Sequence, residues 1–238
     1  MNTPLLQVED VRGFYGPVES LHGVSIEVVR GEIVVVLGAN GAGKTTLMRA
    51  VSRNIRVTGA IRFDGKDITR SSPEAVAVLG VGHVPEGRGT FVDLSVDDNL
   101  ALGRMVGARR GSDAAFRDEV LDLFPVLREM GKRRAGSLSG GQQQILAIAR
   151  ALLGRPELLI IDELSLGLAP MITREIFDKL ADLRDRIGLS ILLAEQNVNL
   201  SLAVADRGYV LDSGSLVAEG AASTLASSGA VERAYLGK

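Results

Sequence analysis

The sequence contains no cysteine, which excludes a disulfide framework and a thiolate metal site and suits a reducing cytosol. No stretch approaches about 18 uninterrupted apolar residues, so we expect no membrane-spanning helix. The opening stretch MNTPLLQVED has no basic segment and no long apolar core, and Asn2 stands where myristoylation requires glycine. We therefore expect neither export nor lipid anchoring. The formal net charge of −2 gives no global attraction to nucleic acid or acidic lipid, and we expect no nucleic-acid partner.

Low-complexity tracts, proline-rich linkers and internal repeats are also absent, so each motif below occurs once and indicates a single functional unit. Short strand-like stretches at 5–11, 23–29 and 59–65 suit an antiparallel edge sheet. Between them, the continuous apolar run at 32–38 predicts a buried strand. After Gly140, helical and strand-like segments alternate and end in a strand pair around the turn sequence DSGS, which predicts an α/β sheet.

The middle of the chain has a helical pattern, from Ser95 to about Leu127. Ser95 is the predicted N-cap of a helix and Asp98 stands three residues later, a spacing like that of a capping box. A second helix is predicted to start at Ser112. The sequence therefore predicts an α/β sheet with a helical insertion.

The strongest chemical signal is GANGAGKTT at 38–46, which fits the pattern G-x-x-x-x-G-K-[ST] and lies between a buried strand and a helical run. Glycines let the backbone turn so that N–H groups and the helix N-terminus point at phosphate oxygens. Lys44 would lie between β- and γ-phosphates, and Thr45 would give a hydroxyl to Mg²⁺. The alternative is a glycine-rich turn without a ligand. The predicted nucleotide contacts are Gly38, Asn40, Gly41, Ala42, Gly43, Lys44, Thr45 and Thr46.

A second site follows the apolar run in ELLIIDEL, residues 157–164. A strand buried on both faces would carry Asp162 to its carboxyl end, where the carboxylate could hold Mg²⁺ through water. Glu163 could polarise the attacking water. An exposed pair of acids in a turn is the alternative, and the apolar strand before the pair argues against it.

The third motif is LSGGQQQ at 138–144, a serine and a glycine pair that open a helix running to Gly154. Alone it is a helix cap. With the two sites above it resembles the signature motif of ABC ATPases, and the resemblance covers essentially the whole chain. In that family the signature meets the γ-phosphate held by the opposite subunit, which implies that Ser139, Gly140 and Gly141 act in trans. A helix N-terminus directed at an anion is the physical basis.

The resemblance implies a P-loop NTPase (ABC ATPase) fold of the α/β class, with an antiparallel β subdomain and a helical subdomain. The single ABC ATPase domain would fill 1–238. The nucleotide-binding core with its β subdomain would take about 1–87 and 137–238, and the helical subdomain about 88–136. ATP and Mg²⁺ are the implied cofactors.

Four further positions follow from the resemblance. Tyr15 matches the aromatic residue that stacks on adenine, and its alternative is a buried strand tyrosine. Glu86 stands where the family usually has a glutamine that senses Mg²⁺ and touches the membrane partner, and the resemblance implies that Glu86 takes over this role as a third metal residue beside Thr45 and Asp162. Leu164 replaces the usual proline after the catalytic glutamate, and Ala169 replaces the usual aspartate of the D-loop.

The switch histidine of most ABC ATPases is missing, because the stretch LAEQN places Gln196 there. The two histidines of the chain, His22 and His83, stand elsewhere. An amide can still donate a hydrogen bond to a γ-phosphate oxygen or orient a water, although it cannot become positively charged. Lys44, Glu163 and Gln196 are thus the predicted catalytic residues. The alternative for Gln196 is a polar residue that merely starts a helix.

These departures resemble a subgroup, since PEGR, SLGLAP, LAEQN, ADRGYVL and the terminal AYLG are similar to the LivF-type ATP-binding subunit of branched-chain amino-acid importers. The resemblance implies a paralogous ABC ATPase partner, or a homodimer in isolation, together with two membrane permeases. A periplasmic solute-binding protein would take part indirectly. The chain would then be peripheral, on the cytoplasmic face of the inner membrane.

Other functions remain open at this stage. An importer of amides or urea would use the same ATPase. A non-transport ABC clamp would carry a long coiled-coil insertion or a second ATPase unit, and the sequence has neither. A module that binds ATP without turnover is suggested by Gln196 and Ala169. A P-loop kinase would have no reason to carry LSGGQQQ.

Overall fold

The computed structural model describes residues 4–227 and residue 231, and it contains two sheets. The smaller is antiparallel with the order β2-β1-β4-β5, and the larger has the order β10-β9-β3-β8-β7-β6. The strands are β1 Pro4–Tyr15, β2 Val18–Val29, β3 Ile33–Leu37, β4 Arg56–Phe63, β5 Lys66–Asp67, β6 Val81–Val84, β7 Leu158–Asp162, β8 Ser190–Glu195, β9 Arg207–Asp212 and β10 Ser215–Ala221.

The strand predictions agree with this arrangement. The three early stretches form β1, β2 and β4 of the antiparallel sheet, while the apolar run that follows β2 is β3 of the larger sheet. β3 lies between β8 and β9 and is parallel to both. Every residue of β3, β7 and β8 is buried. Strands buried on both faces need continuous apolar sequence, which explains their pattern.

Two hydrophobic cores cover the faces of the larger sheet. Because side chains alternate along a strand, Ile33, Val35 and Leu37 of β3 pack into one core and Val34 and Val36 into the other. The second core also contains the inward side chains of the antiparallel sheet and of the first helix. That helix is therefore held between the two sheets.

The helices are α1 Lys44–Val51, α2 Pro73–Leu79, α3 Val96–Gly107, α4 Ala114–Leu123, α5 Pro125–Glu129, α6 Gly140–Leu152, α7 Pro170–Ile187, α8 Val198–Leu202 and α9 Ala222–Ser227. The capping box of Ser95 and Asp98 is confirmed at α3. The helix expected at Ser112 begins at Ala114 instead, because the Asp113 carboxylate accepts the Phe116 N–H at 2.9 Å and caps it. Within the described residues, no helix is long and apolar enough to span a bilayer.

Helices α3, α4 and α5 occupy the stretch predicted to be helical, and α3 packs closely on α6. The closeness depends on glycine, because a Cβ at Gly103 would collide with the carbonyl oxygen of Arg150, and one at Gly107 with that of Leu153. The subdomain boundaries at 88 and 136 stay a prediction. The AYLG stretch lies outside the described residues.

We expect Gly103→Ala to destabilise the protein, although alanine is the better helix former by about 1 kcal/mol. The collision with Arg150 should outweigh that gain, since overpacking costs about 1–3 kcal/mol. Urea unfolding measures whether the free energy of unfolding falls or rises. Ala101→Gly, at an exposed site of α3, is the control, because its change in unfolding free energy reports the difference in helix propensity between alanine and glycine without a packing change. A stabilised Gly103→Ala protein would contradict the close packing of α3 on α6.

Candidate active site

The loop between β3 and α1 has the predicted strand-to-helix context. Gly41 and Gly43 have φ angles of 80° and 104°, a left-handed conformation that favours glycine. A Cβ at Gly38 would lie 2.6 Å from the carbonyl oxygen of Leu211, so this position also needs glycine. The Lys44 ammonium donates to the carbonyl oxygens of Gly38 at 2.9 Å and Ala39 at 3.1 Å. The Lys44 ammonium is thereby held against the backbone of the loop that precedes it.

An ion pair joins this loop to the end of β7. Lys44 Nζ lies 3.0 Å from Glu163 Oε1, and the two side chains are only 4% and 7% exposed. The Glu163 backbone has a φ of 53°, which is uncommon for a residue with a side chain. Its N–H donates to the carbonyl oxygen of Ala194 in β8 at 2.9 Å. The neighbouring strand therefore helps to hold this strained residue beside the lysine.

Two of the three predicted Mg²⁺ residues, Thr45 and Asp162, are also brought together from distant parts of the chain. Thr45 Oγ1 donates to Asp162 Oδ1 at 3.2 Å. Burial raises the pKa of Asp162 to about 6, and the charges of Glu163 and Glu86 add to the rise while the Thr45 hydrogen bond opposes it. A cation at this point would relieve that repulsion. Two hard oxygen donors suit Mg²⁺, which keeps several waters and takes phosphate oxygens.

Gln196 lies in the same cluster. Its Nε2 donates to both carboxylate oxygens of Glu163 at 3.1 Å and to Asn40 Oδ1 at 2.5 Å. The amide thus bridges the phosphate loop and the predicted base. A cavity of about 450 Å³ opens here and is lined by the loop, Glu86, Glu163 and Gln196. Ser20 and Leu166, which the sequence motifs do not indicate, also line it.

The signature serine is exposed and lies outside this cavity. Ser139 caps α6, since its hydroxyl accepts the Gln142 N–H at 3.3 Å and the Gln142 side chain accepts the Ser139 N–H at 3.0 Å. Gly140 and Gly141 form the first turn of the helix. Within one chain, therefore, the structure does not bring the signature to the phosphate loop.

Tyr15 is at the end of β1 and is 38% exposed, so the alternative of a buried strand tyrosine is wrong. Arg49 donates to its hydroxyl at 3.2 Å and lies 5.9 Å from the ring centroid. Tyr15 does not line the phosphate cavity.

The loop that carries Glu86 is hydrogen-bonded to α6, the helix that the signature begins. Arg88, whose φ is 73°, donates to Gln143 Oε1 at 3.0 Å. Arg150, also in α6, donates to the carbonyl oxygen of Gly89 at 2.8 Å. The segment that carries Glu86 is thus attached to α6 at two points. Sequence motifs gave no indication of these contacts.

Glu195 is a further site residue that sequence reasoning missed. It is fully buried at the end of β8 and accepts hydrogen bonds from Ser165. Ser165 follows Glu163 by two residues and Glu195 precedes Gln196. The available signal was a charged residue directly after the apolar run ILLA at 191–194.

A family model described as ABC transporter matches residues 21–165, which include the phosphate loop, the signature and the acidic pair. The chain belongs to the ABC transporter family. Its ABC relatives include the high-affinity branched-chain amino acid transport ATP-binding protein BraG of Pseudomonas aeruginosa, 42% identical over 98% of this chain and 100% of the relative. The probable branched-chain amino acid transport ATP-binding protein LivF of Archaeoglobus fulgidus is 34% identical over 93% and 94%.

Solved ABC structures have the same fold. A crystal structure of the ADP conformation of an ATP-binding cassette from an ABC transporter matches with a TM-score of 0.85 and 26% identity, covering 99% of this chain and 100% of that one. A nucleotide-free cassette matches equally well. The ABC ATPase fold predicted from the sequence is confirmed, and the family binds ATP.

We expect Gln196→Ala to lower the turnover of ATP several-fold with little loss of ATP affinity. A neutral hydrogen bond contributes about 0.5–1.5 kcal/mol, and contacts made in the transition state affect kcat more than KM. Gln196→His keeps a donor and should preserve or raise hydrolysis while making it more pH-dependent between about pH 6 and 8. Phosphate release in the assembled transporter measures both.

Asn197→Ala is the matched control, because this side chain only caps α8 by accepting the Leu200 N–H at 3.2 Å. It should leave turnover unchanged. A Gln196→Ala protein with the parental rate would remove Gln196 from the catalytic set.

Proposed function

We propose that this ABC ATPase hydrolyses ATP to drive the import of branched-chain or other hydrophobic amino acids. The observation that carries the proposal is the convergence of Lys44, Glu163 and Gln196 on one cavity at the phosphate loop. The 42% identity with a branched-chain amino acid transport ATP-binding protein over nearly the whole chain supports the solute class. An importer of amides or urea is the alternative with the same ATPase.

ATP would lie with its phosphates on the loop N–H groups and the N-terminus of α1, where the helix dipole favours negative charge. Asn40, Ala42 and Thr46 belong to this loop and first turn. Thr45 and Asp162 would hold Mg²⁺, and Glu86, which lines the same cavity, would act through water. Tyr15 would stack on the adenine, and its exposed ring at the end of β1 supports this role.

Glu163 would polarise the attacking water. Its carboxylate is now paired with Lys44, and phosphate oxygens would compete for the same ammonium. Binding of ATP would therefore draw Lys44 towards the phosphates and leave Glu163 available to a water. Gln196, which donates to Glu163, could then turn its amide towards the γ-phosphate or orient that water.

Ser139, Gly140 and Gly141 would complete the active site of a second ATPase subunit. Ser139 is exposed, Gly140 and Gly141 are half-buried, and none of the three lines the cavity of its own chain, which supports action in trans. As the ATP-binding subunit of a transporter, the chain acts with membrane components. We propose one paralogous ATPase, two permeases and, indirectly, a periplasmic binding protein, with this chain peripheral at the cytoplasmic face of the inner membrane. Residues 88–136 would form its helical subdomain.

Two variants separate binding from hydrolysis. Lys44→Ala should abolish tight ATP binding, whereas Glu163→Gln should retain binding and lose about 10²- to 10⁴-fold in hydrolysis, the usual loss when a general base is removed. Fluorescent-nucleotide binding and phosphate release measure the two steps. Lys66→Ala, at an exposed site in β5, is the control. Near-normal turnover of Glu163→Gln would mean that another group is the base, and ATP binding without turnover by the parent would favour a clamp.

Complementation between two inactive variants tests the shared site. Ser139→Arg would block the signature and Glu163→Gln would remove the general base, so the homodimer of each variant should be inactive. A mixed dimer would restore one intact site in two, and random pairing should return about a quarter of the parental rate. The double variant should stay inactive alone. The parental homodimer is measured first as the reference rate. If it hydrolyses ATP and the mixture has no activity, the signature does not serve the opposite subunit.

The transported solute needs a separate measurement. The chain assembled with its permeases and binding protein in liposomes should take up labelled leucine in an ATP-dependent manner. Uptake of urea or an amide in preference to leucine would assign the complex to the alternative importer class.

A further inference from the structure

Glu195 is a buried carboxyl group that accepts three hydrogen bonds. Its side chain is 0% exposed. Oε1 accepts the Ser165 N–H at 2.9 Å, while Oε2 accepts the Ser165 hydroxyl at 2.6 Å and the Gln196 N–H at 3.2 Å. Burial raises the pKa of Glu195, and the hydrogen bonds from Ser165 and Gln196 oppose that rise. A buried carboxylate of this kind is maintained only where the surrounding groups satisfy it.

The pattern of donors requires a carboxylate rather than an amide. An ionised carboxylate only accepts hydrogen bonds, and here both oxygens face N–H donors. An amide at the same place would direct its NH₂ group at the Ser165 N–H or, after a flip, at the Gln196 N–H. Either orientation sets two donors against each other, which leaves buried groups unsatisfied.

The bonds to Glu195 close a ring of contacts around the proposed base. From Glu163 the chain continues through the fully buried Leu164 to Ser165, which is bound to Glu195. Glu195 is followed by Gln196, whose amide returns to both oxygens of Glu163. The loop after β7 and the loop after β8 are therefore fixed to each other on the side of the cavity that carries both catalytic groups.

We propose that Glu195 is a positioning residue for ATP hydrolysis, holding Glu163 and Gln196 in register through its bonds to Ser165 and to the Gln196 backbone. The inference rests on the proposed ATPase function. Glu195 itself would not contact the nucleotide. Glu195 would orient Glu163 and Gln196, the two groups that would face the γ-phosphate. Loss of Glu195 should therefore lower turnover and leave ATP binding by the phosphate loop in place.

Ser165→Ala removes the short hydroxyl bond, while the backbone N–H groups of residue 165 and Gln196 still donate to the Glu195 carboxylate. We expect the kcat of ATP hydrolysis to fall about tenfold, with the KM for ATP within about twofold of the parent, because hydrogen bonds to charged groups are the stronger class and the loss is confined to the transition state. Ser165→Thr keeps the hydroxyl and should restore most of the rate. Glu195→Gln should lose at least as much kcat as Ser165→Ala.

Ser190→Ala is the matched control at the opposite end of β8. Ser190 is a buried serine whose hydroxyl accepts the Gly31 N–H at 2.9 Å. Its replacement should lower the Tm by an amount similar to that caused by Ser165→Ala and leave kcat unchanged. The comparison separates positioning of the base from general loss of stability, even if Glu195→Gln fails to fold.

The outcomes separate this inference from the function it rests on. A parent protein that releases no more phosphate than Lys44→Ala would overturn the ATPase proposal and this inference with it. An active parent, with Ser165→Ala at the parental kcat or with a loss equal to that of Ser190→Ala, would overturn the positioning role alone. A selective loss of kcat in Ser165→Ala, recovered in Ser165→Thr, supports it.

Discussion

The buried ion pair between Lys44 and Glu163 is the interaction on which the rest of the site depends. Either charge alone would be costly in a place this inaccessible to water, so each residue requires the other until a ligand arrives. The pair spans more than a hundred residues of sequence and joins the phosphate loop to the end of β7. A phosphate oxygen would be a second anion for the Lys44 ammonium. Nucleotide binding would then weaken the ion pair of Lys44 with Glu163, the proposed base.

The parallel sheet explains how such distant residues meet. β3, β8 and β7 are neighbours, and their carboxyl ends lie along one edge. The loop with Lys44 leaves β3, Asp162 and Glu163 end β7, and Gln196 follows β8. Ligand sites at the carboxyl ends of parallel strands are general in α/β folds. The antiparallel sheet and the second core hold α1 in place, and so fix the direction of its N-terminus.

Sequence alone predicted the motif residues because each has a local signal. The glycine spacing of the phosphate loop and the apolar run before Asp162 are visible in short windows of sequence. Ser165 has no such signal, and for Glu195 the local signal is only a charged residue after an apolar run; the role of both comes from a contact across two strand ends. The helix expected at Ser112 began later because two adjacent residues could both cap it, and only the Asp113 carboxylate does.

The exposed position of Ser139 outside the phosphate cavity supports the proposal that the signature serves a second subunit. Lys44, Glu163 and Gln196 line the cavity, whereas Ser139 caps α6 outside it. The loop with Glu86 is attached to that same helix through Arg88 and Arg150. A change at the Mg²⁺ side of the cavity is therefore mechanically linked to the helix that would serve the opposite subunit. Because Arg88 of the loop donates to Gln143 of α6 and Arg150 of α6 donates back to Gly89 of the loop, we expect a displacement of the loop on nucleotide binding to be passed to the helix.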